Sequence, residues 1–195
     1  VNGGFANLSD VFRLKLPQMG GTGNLNEGYG NGGSGQSFVG LRGLPGNATD
    51  RDNHLGMRSV LDKHPGLKVV QVVGNWDAGT VQKVTADAIA TNGNFDGVMV
   101  QEGTIGALNA MKNAGHPVVP IGGDAGNGAR KLISEGKYPG ITAAQAPVMS
   151  AVALEAAVSL LEGNSLPQKV FLPIPNKDNA ELKEGADYFP NLPDT

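Results

Sequence analysis

The chain has no cysteine. That absence removes disulfide staples, CxxC redox chemistry and thiolate-held zinc or iron–sulfur centres. Aromatic residues make up 5% of the 195 positions and include one tryptophan, so any ring-stacking function must fall on few side chains. Charged residues reach 17% and the net charge is −3, which argues against a phosphate-backbone binder, whose footprint is usually a basic face; no nucleic-acid partner is expected. No apolar run approaches the roughly 20 residues of a membrane span. The opening VNGGFANLSD has no basic stretch followed by an apolar one, so a secretory signal is expected to be absent or already removed. His54, His64 and His116 are scattered and form no HExxH or HxH pattern, so no metal is expected. There is no GxSxG elbow and no P-loop, and Gly21-Thr22-Gly23 does not complete a dinucleotide fingerprint. Binding rather than turnover is expected, with no cofactor.

Glycine, by contrast, is abundant: 30 residues, about double the usual ~7%. Many fall in residues 1–36, which read as a loop-rich leader with one short alternating stretch at Phe12, Leu14 and Leu16. From Ser37 the pattern becomes regular. Apolar runs at 38–41, 67–73, 97–100, 117–121 and 141–144 lack alternation, as strands buried on both faces do. Between them lie helical spacings around Leu55–Leu61, Val81–Ile89 and Ile105–Met111, and a longer one over 149–161. Gly66, Gly93, Gly115 and Gly163 are placed as C-caps. Strand and helix alternating in this way predict an α/β fold with a doubly wound parallel sheet.

In such sheets ligands gather outside the carboxyl ends of the strands. The runs are followed there by Arg42 and a polar loop reaching Arg51, Asp52 and Asn53; by Asn75, Trp76 and Asp77; by Gln101 and Glu102; by Asp124; and by Gln145. One flat apolar ring among amides, carboxylates and a guanidinium suits a polyhydroxylated ligand. Blander roles stand beside this one. Asp77 and Asp124 are also placed to cap following helices, Trp76 could be core, Glu102 a solvated helix-start charge, and Arg51, Asp52 and Asn53 a solvated first turn. Glu102 and Asp124 could form an acid/base pair, but no neighbouring residue marks either as catalytic.

The run 43–57 (GLPGNATDRDNHLGM), then GNWD at 74–77, FDGVMVQEG at 95–103, IGGDAGNG at 121–128, TAAQAP at 142–147, LLEG at 160–163 and VFLP at 170–173 together resemble the second lobe of ribose-type periplasmic solute-binding proteins, over about residues 37–175. The resemblance implies one lobe of a type I fold, a small sugar or polyol ligand, an ABC importer permease as partner, and a periplasmic or extracellular location. By position it makes Trp76 the ring-stacking aromatic, and Glu102, Asp124 and Gln145 hydroxyl partners. The family's clamping arginine falls at Asn53, with Arg51 two residues earlier. It also implies that most of a first lobe is missing. The expected division is a glycine-rich leader or remnant of the first lobe at 1–36, the lobe at 37–146, and a crossover helix with C-terminal segment at 147–195 that would return to the first lobe. The apolar helix Met149–Leu161 would then seek another partner, and a homodimer through it is expected. The alternative, the effector core of a lac-repressor-like regulator, would call for a helix-turn-helix, and residues 1–36 show none.

Overall fold

The computed structural model describes residues 37–194 apart from 64–65, 144–148, 171 and 173–174. The stretch around Phe12, Leu14 and Leu16 therefore lies outside the described residues, as does Gln145. Among the described residues the order is β1 (Ser37–Arg42), α1 (Ala48–Leu61), β2 (Lys68–Val73), α2 (Ala78–Asn92), β3 (Gly97–Val100), α3 (Thr104–Asn113), β4 (Ile121–Gly123), α4 (Asn127–Ser134), β5 (Gly140–Ala143), α5 (Met149–Leu161) and β6 (Asn176–Asp178).

The sheet order is β2-β1-β3-β4-β5-β6. Its first five strands are parallel, and β6 joins antiparallel to β5. Strand alternation sorts the side chains to two faces. Val39, Leu41, Val98 and Val100 enter the main core with Val81 of α2, Leu108 and Met111 of α3 and Ile133 of α4. Met99 turns the other way and packs with Met57 and Leu61 of α1. Helices thus cover both faces, and the chain reverses direction across the sheet between β1 and β3. That reversal is the topological switch point, where an open α/β sheet leaves a crevice at its strand ends. The covering helices pack closely: a Cβ on Gly106 of α3 would lie 2.0 Å from the Ala78 carbonyl oxygen of α2, so only glycine fits there.

Three details differ from the sequence reading. The run 117–121 becomes strand only at Ile121, because Pro117 and Pro120 have no N–H to give a ladder, and Val118 is exposed. Gly93, Gly115 and Gly163 do take positive φ after their helices, whereas Gly66 does not; α1 has already ended at Leu61 with Asp62 as its cap. The third is the tail. Residues 176–194, grouped by sequence with the crossover helix, are joined to this sheet. Asn179 accepts from Gly140 N (2.8 Å) and donates to the Ile133 and Tyr138 carbonyls. Asn127, at the start of α4, accepts from Phe189 N and donates to the carbonyls of Phe189, Leu192 and Pro193.

Candidate functional site

Three strand ends, those of β1, β2 and β3, meet around one carboxylate and one amide. Asp50 stands in the first turn of α1, three residues after the N-cap Asn47. Asp50 is fully buried and takes a two-point ion pair from Arg42, at the end of β1, and a hydrogen bond from Gly43 N at 2.9 Å. Gln101, directly after β3, donates from Nε2 to the Asp50 carbonyl at 3.1 Å and to its Oδ1 at 3.0 Å. The same side chain accepts through Oε1 from Gly43 N and from Trp76 Nε1, each at 3.2 Å.

Trp76 sits in an unusual backbone. Asn75 and Trp76 have φ of 56° and 60°. The Asp77 N–H donates to the Gly74 carbonyl at 3.1 Å, which closes a four-residue turn. A turn with both central residues at positive φ is the I′ type, whose second central place favours glycine. A bulky residue there is a backbone outlier, and outliers of this kind persist where the surroundings over-determine them. Asp77 then caps α2, accepting from Thr80 N and Thr80 Oγ1, both at 2.7 Å. Its capping role, left open by the sequence, is the one it performs.

Asp124, after β4, ties neighbouring loops together rather than capping the helix that follows. It accepts from Thr104 N at 2.9 Å and from the Thr104 hydroxyl at the start of α3, and from Gly126 N at 2.9 Å. Glu102 is exposed and has no hydrogen bond or ion pair to a described residue. Burial of part of its carboxyl and the nearby Asp124 charge together push its pKa up. A group whose folded-state pKa is raised adds stability below its ordinary value and loses it as pH rises through the raised one. Glu102→Gln is therefore expected to raise the melting temperature at pH 7 and to flatten its dependence on pH from the ordinary glutamate range upward. Thermal melts from about pH 4 to 8 check this; an unchanged slope would show that Glu102 feels no such penalty.

Arg51 is well exposed and bonds to its neighbour Asp52 at 2.8 Å, which raises the arginine pKa and lowers that of the aspartate. Asn53 is half-buried on α1. The structure thus brings Trp76 together with Gln101, next to Glu102, and sets Asp124 in Coulombic reach of Glu102. It does not join Arg51 to them through any bond. Sequence reasoning placed Arg42 and Gln101 at strand ends without choosing them as ligand contacts and gave Asp50 and Gly43 no role; these four form the frame. Among the described residues no group of acidic and histidine side chains could hold a metal ion.

A doubly wound lobe with an indole, an amide and two carboxylates at its switch point has the form of a small-molecule binding protein. A periplasmic binding protein domain model matches residues 23–165, and the chain belongs to that family, in its type I, ribose-like form. The ribose import binding protein of Haemophilus influenzae is 24% identical over 140 residues, covering 71% of this chain and 48% of the relative. A xylitol-binding protein of Mycolicibacterium smegmatis is 28% identical over 158 residues, covering 77% and 45%. A crystal structure from Mycobacterium smegmatis in complex with β-D-fucofuranose is 19% identical with a TM-score of 0.76, over 92% of this chain and 58% of that one. The chain spans about half the length of the curated relatives it matches.

Proposed function

We propose that this chain supplies one lobe of the solute-binding component of an ABC importer and binds a neutral sugar or polyol at its strand ends. It acts by binding and not by catalysis. The observation that carries the reading is Trp76, a bulky residue kept at positive φ at the switch point and bonded to Gln101 beside Glu102. An indole face takes the CH face of a sugar, while carboxylates accept its hydroxyl protons. Asn53, Arg51 and Gln145 complete the proposed contact set. Glu102 and Asp124 put two carboxylates at these strand ends, whereas Arg42 is tied to Asp50 and Arg51 to Asp52, and Arg130, in Coulombic reach of Asp124, is engaged with Thr142 and the Asp187 carbonyl. Sugar phosphates and sugar acids are therefore disfavoured. The names of the relatives, which bind ribose and xylitol, agree with this class. The importer permease as partner and a periplasmic or extracellular location belong to the same proposal, as does a division into a lobe at 37–146, to which the tail at 176–194 is joined, and a crossover helix between them.

Calorimetry with neutral pentoses, hexoses and polyols against their phosphates tests the reading. Neutral ligands should bind and phosphates should not. One wall of a cleft recovers little of the freedom a ligand loses, so affinities on the order of millimolar are expected for this chain alone. No response to any neutral sugar would overturn the reading.

The self-association expected from sequence follows from α5. None of its side chains is buried, and Leu154 and Leu161 are 67% and 89% exposed. Glu155 is its one charged residue. A nearly uncharged apolar helix is self-complementary, and two-fold pairing buries it most simply. Light scattering of the 195-residue chain at about 10 μM should give a dimer that Leu154→Lys with Leu161→Lys dissociates. A 20.0 kDa monomer at that concentration would rule it out.

A further inference from the structure

We propose that Gln101 is a positioning residue that latches the Trp76 indole in the attitude in which it meets the ligand, with the Arg42–Asp50 pair fixing Gln101 in turn. The inference rests on the reading of Trp76 as the ligand-stacking ring. A turn fixes the Trp76 backbone but leaves its ring free to rotate unless another group holds it. Gln101 can hold it because its own backbone is locked into the sheet, its N–H donating to the Leu41 carbonyl at 3.0 Å.

The amide has only one workable orientation. Nε2 faces two acceptors on Asp50, and Oε1 faces two donors, Gly43 N and Trp76 Nε1. Flipping it would set an NH2 against two N–H groups and an oxygen against a carboxylate. Asp50 cannot turn away to relieve this, since Arg42 and Gly43 N already hold it. The indole also leans on Gly43, where an added Cβ would lie 1.9 Å from Trp76 Nε1 and 2.1 Å from Cε2. Gly43 has no left-handed φ, so the missing methyl matters for the ring and not for the backbone. A stacking ring latched in this way loses little rotamer freedom when the ligand arrives. It also stands in fixed relation to Glu102, the residue after the latch.

The protein has one tryptophan, so its fluorescence reads this ring alone. Gln101→Leu should red-shift the emission, lower the anisotropy and weaken binding of D-ribose or xylitol roughly tenfold. Trp76→Phe removes the N–H without touching Gln101. In that background Gln101→Leu should cost little further affinity, because both changes delete the same bond. Additive losses would assign Gln101 a general structural role, and wild-type anisotropy and affinity in Gln101→Leu would also overturn the latch. If Gln101→Leu does not fold, Gly43→Ala asks the same question with Gln101 and Asp50 intact. It should give the same red shift and weakened binding, and wild-type values in it would overturn the proposal. A wild-type chain that binds neither sugar would defeat the functional reading, while the anisotropy would still decide the latch.

Discussion

Trp76→Gly is expected to abolish detectable sugar binding while costing less than about 1.5 kcal/mol of stability, against the 3–5 kcal/mol usual for removing a buried tryptophan. Two effects oppose each other in the fold. The half-buried indole gives up its bond to Gln101 and its contact with Gly43. In return, a residue at φ 60° is replaced by the one residue that adopts that conformation without penalty, which relieves strain of order 1–2 kcal/mol. The new turn would read Asn75-Gly, the pair that type I′ turns favour. Gln101 keeps Gly43 N as a donor, so no buried acceptor is orphaned. Binding has no such compensation, because glycine leaves no ring face for a ligand to stack on. Denaturant melts and calorimetry on the same variant decide the matter. A loss above 3 kcal/mol would make Trp76 a core residue, and retained binding would remove it from the site.

The strands were legible because buried parallel strands read as unbroken runs of Val, Ile and Leu, and β3 was marked to the residue. Helix α4 was not legible. It has eight residues, with Gly128 near its start and only Ala129, Leu132 and Ile133 apolar, too few to establish a period. Strand β6 reads Asn-Lys-Asp and carries no apolar signal; it is held by pairing with β5 and by the Asn179 bonds, which only the folded chain brings together. The site was legible in outline. A strand end followed by Asn-Trp-Asp or Gln-Glu announces polar groups at a crevice. What hid was the division of labour among adjacent residues. Sequence drew attention to Arg51 and Asn53, yet the buried partner in that turn is Asp50. The spacing from the cap Asn47 to Asp50 resembles a capping box, a purely local signal. Its real partners, Arg42 and Gln101, stand eight and 51 positions away. Likewise Gln101 and Glu102 look equivalent in sequence, and only the strand's direction turns one inward to Asp50 and leaves the other exposed.

Asp50→Ala should produce a large loss of stability, about 3–5 kcal/mol, the cost of breaking a buried ion pair and removing the acceptor of two further donors. For a chain of this size that is a fall in melting temperature of roughly 6–20 °C. The carboxylate is fully buried and serves Arg42, Gly43 N and Gln101 together, so its removal strands a guanidinium, weakens a backbone donor's contacts and frees an amide. Asp50→Asn keeps the shape and one acceptor oxygen, but its new NH2 must face the Arg42 guanidinium or the Gln101 NH2; a smaller loss is expected. Arg42→Ala leaves the fully buried Asp50 carboxylate without its countercharge, held only by Gly43 N and Gln101 Nε2, so a loss at least as large as that of Asp50→Ala is expected. The decisive comparison is the double variant Arg42→Met with Asp50→Leu. Replacing both charges by apolar groups of similar volume leaves no unpaired ion, so the double variant should be more stable than Asp50→Ala alone. Its binding should nonetheless fall, because Gln101 Nε2 then keeps only the Asp50 main-chain carbonyl as a partner and the latch on Trp76 loosens. A double variant as unstable as Asp50→Ala would mean that the pair's geometry, and not its charge, holds this end of the sheet.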